Sequence, residues 1–85
     1  MTYDPSGKWI LAADLGADKV FLYTLSKDGE LEHHLELAIN FPPGSGPRHI
    51  DFHPNEHFFF VVCELNATIM SFSWNSDTGT AEAVS

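Results

Sequence analysis

Trp9-Ile10-Leu11-Ala12-Ala13 is answered 49 positions later by Phe58-Phe59-Phe60-Val61-Val62. The same shift lays Pro5 on Pro54, Val20 on Ile69, Tyr23 on Phe72 and Leu25 on Trp74. Aromatic and aliphatic classes match from Trp9 to Leu25 without a gap. Lys27-Asp28-Gly29 falls one residue out of register with Asp77-Thr78-Gly79. Repetition at a fixed period of this size marks an architecture of stacked units.

Each unit reads as short strands joined by turn chemistry. Trp9 to Ala13 is continuously apolar, as expected of a strand covered on both faces. Leu15-Gly16-Ala17-Asp18 is a turn, and Lys19 to Leu25 is rich in β-branched and aromatic residues. Asp28-Gly29 signals a hairpin. Leu31, Leu35, Leu37 and Ile39 then alternate with polar residues or Ala38, which predicts one outer strand. His33 and His34 would point to its opposite faces and be solvated. Phe41-Pro42-Pro43-Gly44-Ser45-Gly46-Pro47 cannot be helix or central strand and is a crossing loop. The second unit runs through Arg48 to Phe52, a turn at His53-Pro54-Asn55, His57 to Cys63, Thr68 to Trp74 and Thr80 to Val84.

No segment keeps a helical spacing, so the chain is all-β. Groups of four strands repeating every 40–50 residues or so are β-propeller blades. The expected fold is two four-stranded antiparallel blades, a partial propeller: blade one about 1–40, the crossing loop 41–47, blade two about 48–85. A small sandwich or barrel is the alternative, and it leaves the gapless match unexplained.

Composition narrows the partners. Four Lys+Arg against twelve Asp+Glu give −8, and protonating all five His still leaves −3. That field opposes nucleic acid and anionic membrane, both of which want a basic face. Cys63 is the only cysteine, so no internal disulfide can form, and a reducing, cytoplasmic setting is expected. The longest apolar run, Phe58 to Cys63, is far short of the roughly 20 residues that span a bilayer.

At Gly44-Ser45-Gly46-Pro47-Arg48-His49-Ile50-Asp51-Phe52-His53-Pro54, followed by Val61-Val62-Cys63-Glu64-Leu65, the sequence resembles the seven-bladed lactonase propellers, the 6-phosphogluconolactonase and carboxy-muconate cyclase group. Asp4-Pro5-Ser6-Gly7-Lys8 with Ala13-Asp14-Leu15-Gly16-Ala17-Asp18-Lys19-Val20 looks like the preceding blade. The resemblance covers essentially the whole chain. Seven repeats would need roughly 340 residues, so about two blades are supplied. Met1-Thr2-Tyr3 takes the place of Ile50-Asp51-Phe52, which shortens the first inner strand. The resemblance also implies a functional His in the missing stretch and an Arg in a later blade.

It further implies that Arg48 and Glu64 face the central cleft. A guanidinium offers a fixed fork for a carboxylate or phosphate and can neutralise an oxyanion. Glu64 ends an apolar strand, where partial burial would suit a general acid or base. A structural ion pair at the blade edge is the competing reading. His49 is either a second proton carrier or a histidine packed between blades. Asp14 is placed near the cleft by the resemblance, and as a turn cap by its position. His49, His53 and His57 are four apart, but Pro54 forbids the helix that would align them as metal ligands. No cofactor or metal is expected.

Three functions compete. The first is part of a lactonase or cycloisomerase acting on a small anionic lactone or muconate-type substrate, inactive by itself. The second is a non-catalytic two-blade module that self-associates, and the third is a ligand-binding module. A homo-oligomer is expected through open blade faces built from Trp9, Leu11, Phe59 and Val61.

Overall fold

In a computed structural model of the chain, residues 1–53 and 57–84 are described. The turn expected at His53-Pro54-Asn55 falls largely outside them. Among the described residues nine strands form two antiparallel sheets. The first has the order β1 (Thr2–Tyr3), β2 (Trp9–Asp14), β3 (Lys19–Leu25) and β4 (Leu31–His33), with β5 (Ile39–Asn40) also on β3. The second has the order β6 (Pro47–Phe52), β7 (Phe58–Cys63), β8 (Thr68–Asn75) and β9 (Thr80–Ala83). These are propeller-type blades, and no α-helix occurs among the described residues.

The repeat seen in the sequence is a repeat of register. Trp9 pairs with Thr24 and Asp14 with Lys19; Phe58 pairs with Ser73 and Cys63 with Thr68. Asp18 and Ala67, the two non-glycine residues with left-handed backbone among those described, are equivalent under the same shift, each at φ 54°. The slip at the glycine turns has a simple cause. The loop between β3 and β4 is 26–30, whereas that between β8 and β9 is 76–79, one residue shorter.

The outer strand of the first blade departs from expectation. It is broken by one 3-10 turn, Leu35–Leu37, so that β4 and β5 pair separately with β3. A continuous strand would have aimed all four aliphatic residues the same way. The turn instead leaves Leu35 exposed and packs Leu37 and Ile39 on the core. His34 is not a solvated surface residue either. It is partly buried, hydrogen-bonds Thr24 Oγ1 at 2.8 Å and sets its ring against Trp9. His33 stays exposed and stacks on Tyr23.

The core lies between the blades. Trp9, Leu11, Val20, Leu22 and Phe41 meet Phe59, Val61, Cys63, Phe72 and Trp74. Trp9, Leu11, Phe59 and Val61 are therefore not open faces, as the sequence suggested; they are the surfaces that the two blades bury against each other. Polar groups pin this interface. Buried Asp4 accepts the Trp9 N–H at 2.9 Å and the Trp74 Nε1–H at 3.2 Å, while the Trp9 Nε1–H donates to the Ser76 carbonyl at 2.7 Å. Asp4 also takes the Ser6 hydroxyl, so both carboxylate oxygens have donors.

Candidate active site

One end of the molecule gathers the finish of β2 and β7 and the start of β6. Residues 41–46 cross between the blades there, and a loop of prolines and glycines has backbone N–H groups that must find acceptors. Asp18 provides them. Its carboxylate accepts the N–H of Gly44 at 3.0 Å and of Gly46 at 2.8 Å, and its own carbonyl accepts the Phe41 N–H at 2.9 Å. The bonds to the carboxylate, Gly46 first and then Gly44, hold the Asp18 carboxyl below the ordinary aspartate value of 3.8.

The other side of the loop is bonded to blade two. Glu64 N–H donates to the Gly46 carbonyl at 2.9 Å, and Leu65 N–H to that of Ser45 at 3.1 Å. Ser45 is fully buried and receives the Asn66 side-chain amide at 3.2 Å. Gly46 has φ +62°, and a Cβ there would run into the Leu65 side chain. Only glycine fits this close approach.

Pro47 then faces Cys63, but His49 faces Val62, so Arg48 is an extra residue in β6. Such a bulge breaks the strand's alternation and re-aims a side chain, and bulges gather beside active sites. Glu64 follows directly on the last residue of β7. Arg48 Nη1 donates to Glu64 Oε2 at 2.6 Å. Their side chains are 57% and 49% exposed. The burial expected of Glu64 is thus not found: the apolar strand stops at Cys63, and Glu64 stands in the turn beyond it.

The other candidates are not joined to this pair by any described hydrogen bond. His49 is exposed on β6. Asp14, the last residue of β2, accepts the Ala17 N–H at 3.0 Å and so caps its own turn. Cys63 is fully buried, and burial pushes its thiol above the ordinary value of 9.0, which makes it unreactive. Among the described residues no group of three or more His, Cys, Asp or Glu is placed to hold a metal ion. No helix among them is long and apolar enough to cross a membrane.

Two clefts among the described residues are lined without Arg48 or Glu64. One of about 310 Å³ lies at the opposite end, between Asp4, Ser6 and His57 and the turn at Asn75–Asp77. The other, about 410 Å³, is a groove between Leu37–Asn40 and Phe72 with β9.

Two residues escaped the sequence reading. Asp4 reaches Trp74 across 70 positions, and Asp18 reaches Gly46 across 28. The donors of Gly44-Ser45-Gly46 signal that the loop needs an acceptor, but not which residue supplies it.

Comparison with known proteins agrees with this architecture. A family described as "Lactonase, 7-bladed beta-propeller" matches residues 1–85. The chain is 39% identical over 77 residues to a 6-phosphogluconolactonase of Bacillus subtilis, covering 91% of this chain and 21% of that protein. It is 35% identical over 81 residues to the 6-phosphogluconolactonase of Pectobacterium carotovorum, covering 95% and 24%. Its fold superposes on the periplasmic gluconolactonase of Pseudomonas aeruginosa with a TM-score of 0.90 at 32% identity, covering 99% of this chain and 24% of that one. The chain thus spans between a fifth and a quarter of these relatives. With a family match that runs over both of its blades, the chain belongs to the family of seven-bladed β-propeller lactonases.

Proposed function

We propose that these two blades supply part of the active site of a lactonase or cycloisomerase acting on a small anionic lactone of the 6-phosphogluconolactone type or on a muconate-type substrate. The observation that carries the reading is the Arg48–Glu64 pair, 2.6 Å apart, exposed, and placed by a bulge at the inner end of blade two. A guanidinium has five N–H donors, and Arg48 uses one of them on Glu64. The others are available to a phosphate, a carboxylate or the oxyanion formed at the carbonyl. Glu64 is positioned to take a proton from the attacking water. Collapse of the tetrahedral intermediate then breaks the ring C–O bond, and that proton returns to the leaving alkoxide. His49 is a candidate second proton carrier, and Asp14 a candidate contact at the rim.

Both side chains of the pair are about half exposed, so a catalytic pocket around them needs further walls. By itself the 85-residue chain should bind the anion weakly and turn over little. A cytoplasmic setting is also proposed, on the strength of the single buried thiol.

The test is a titration with 6-phosphogluconate, the product of the proposed reaction, followed by NMR. Saturable shifts centred on Arg48 and Glu64, abolished by Arg48→Ala, are expected. A response unaffected by Arg48→Ala would overturn the assignment. Hydrolysis of 6-phosphogluconolactone by this chain alone at an enzyme-like rate would overturn the incompleteness of the site.

A further inference from the structure

We propose that Asp18, in blade one, is the positioning residue for the Arg48–Glu64 pair in blade two; the role rests on that pair forming the site. An exposed ion pair constrains its own side chains weakly, so the geometry at 2.6 Å must be imposed by the backbone beneath it. That backbone is held by Asp18. The carboxylate grips Gly44 and Gly46, both with positive φ, while the Asp18 carbonyl grips Phe41 at the loop's start. The Ser45–Gly46 peptide unit that it fixes is bonded onward, its carbonyl receiving the Leu65 N–H, and the very next carbonyl, that of Gly46, receives the Glu64 N–H. Only Pro47, fully buried and with its φ set by the ring, separates Gly46 from Arg48. One carboxylate therefore sets the backbone under both partners.

The repeat shows that this carboxylate is not needed to make the turn. Ala67, the counterpart of Asp18, adopts the same φ of 54° with no polar side chain at all. What Asp18 adds is the clamp on the loop that leads into Arg48.

The experiment compares the ¹⁵N-labelled chain with Asp18→Asn, which keeps the shape but presents an amide in place of one charged oxygen. In the wild type the Arg48 guanidinium should give distinct N–H signals, because Nη1 is held at Glu64. In Asp18→Asn those signals should be lost to rotation and water exchange, while core amides at Val20, Leu22, Phe59 and Val61 keep their hydrogen-exchange protection. Unchanged Arg48 signals in a folded Asp18→Asn chain would overturn the proposal. Should that variant not fold, backbone and side-chain relaxation of the wild type decides: Gly46 N–H and Arg48 Nε–H should be equally rigid, and a mobile Gly46 beneath a rigid Arg48 refutes the clamp. Neither measurement uses substrate. Failure to bind 6-phosphogluconate would sink the lactonase reading and leave the clamp standing, and intact Arg48 signals in Asp18→Asn would do the reverse.

Discussion

Removing the Trp9 indole empties a site that is 5% exposed, where the ring packs edge-on to Trp74 and donates to the Ser76 carbonyl. Trp9→Ala should cost about 3–5 kcal/mol, as large-to-small changes in cores do. Arg48→Ala and Glu64→Ala should each cost no more than about 1 kcal/mol, the range of a solvent-exposed ion pair. Urea unfolding of the three variants distinguishes the roles: if Glu64→Ala unfolds the chain as badly as Trp9→Ala, the pair is structural and not a site. Arg48 and Glu64 could be read from the sequence because they sit inside a long local motif. Asp4 and Asp18 could not be read as pins, because a carboxylate's partners 70 and 28 positions away depend on how two sheets meet. Neither periodicity nor turn chemistry carries that information.

Among the elements, strands and turns that follow period-two or continuous apolar patterns were legible to within a residue or two. Lys19–Leu25 and Thr68–Asn75 are such cases. The segment from Leu31 to Ile39 alternates just as well, yet it turns at Leu35–Leu37 because Leu37 and Ile39 must reach the core. Tertiary packing overrides the local pattern there. The crossing loop was legible as a loop but not as a clamped one, and its clamp carries a pH signature. The Asp18 carboxyl lies below 3.8 in the folded chain, held there first by Gly46. A depressed folded pKa means stability present in full above the unfolded value and lost as the pH falls through the folded one. Asp18→Asn should therefore lower the thermal midpoint at pH 7, and the gap from wild type should shrink progressively as the pH falls below 3.8. A gap undiminished at pH 2 would show that the carboxylate's charge is not what holds the loop.

At the scale of the whole molecule, the two blades bury their facing surfaces against each other but still leave apolar area open. Strand β7 is apolar on both sides: Phe59, Val61 and Cys63 face the core, while Phe58 and Val62 are 38% and 40% exposed. Ile69, paired with Val62 on β8, is 66% exposed. In a closed ring each blade face meets a neighbouring blade, and in two isolated blades this one meets water. Contiguous exposed apolar surface on a sheet favours association with another chain. We expect the 85-residue chain to self-associate through the face carrying Phe58, Val62 and Ile69, with a closed dimer the simplest product. This face is opposite to the one the sequence pointed to, because Trp9, Leu11, Phe59 and Val61 are spent between the blades. Light scattering at micromolar concentration should report more than one copy of the 9.5 kDa chain. Val62→Lys with Ile69→Lys should return it to the monomer without loss of unfolding free energy, since both side chains lie outside the core. A wild-type monomer, or an oligomer that survives both lysines, would rule this face out as the contact.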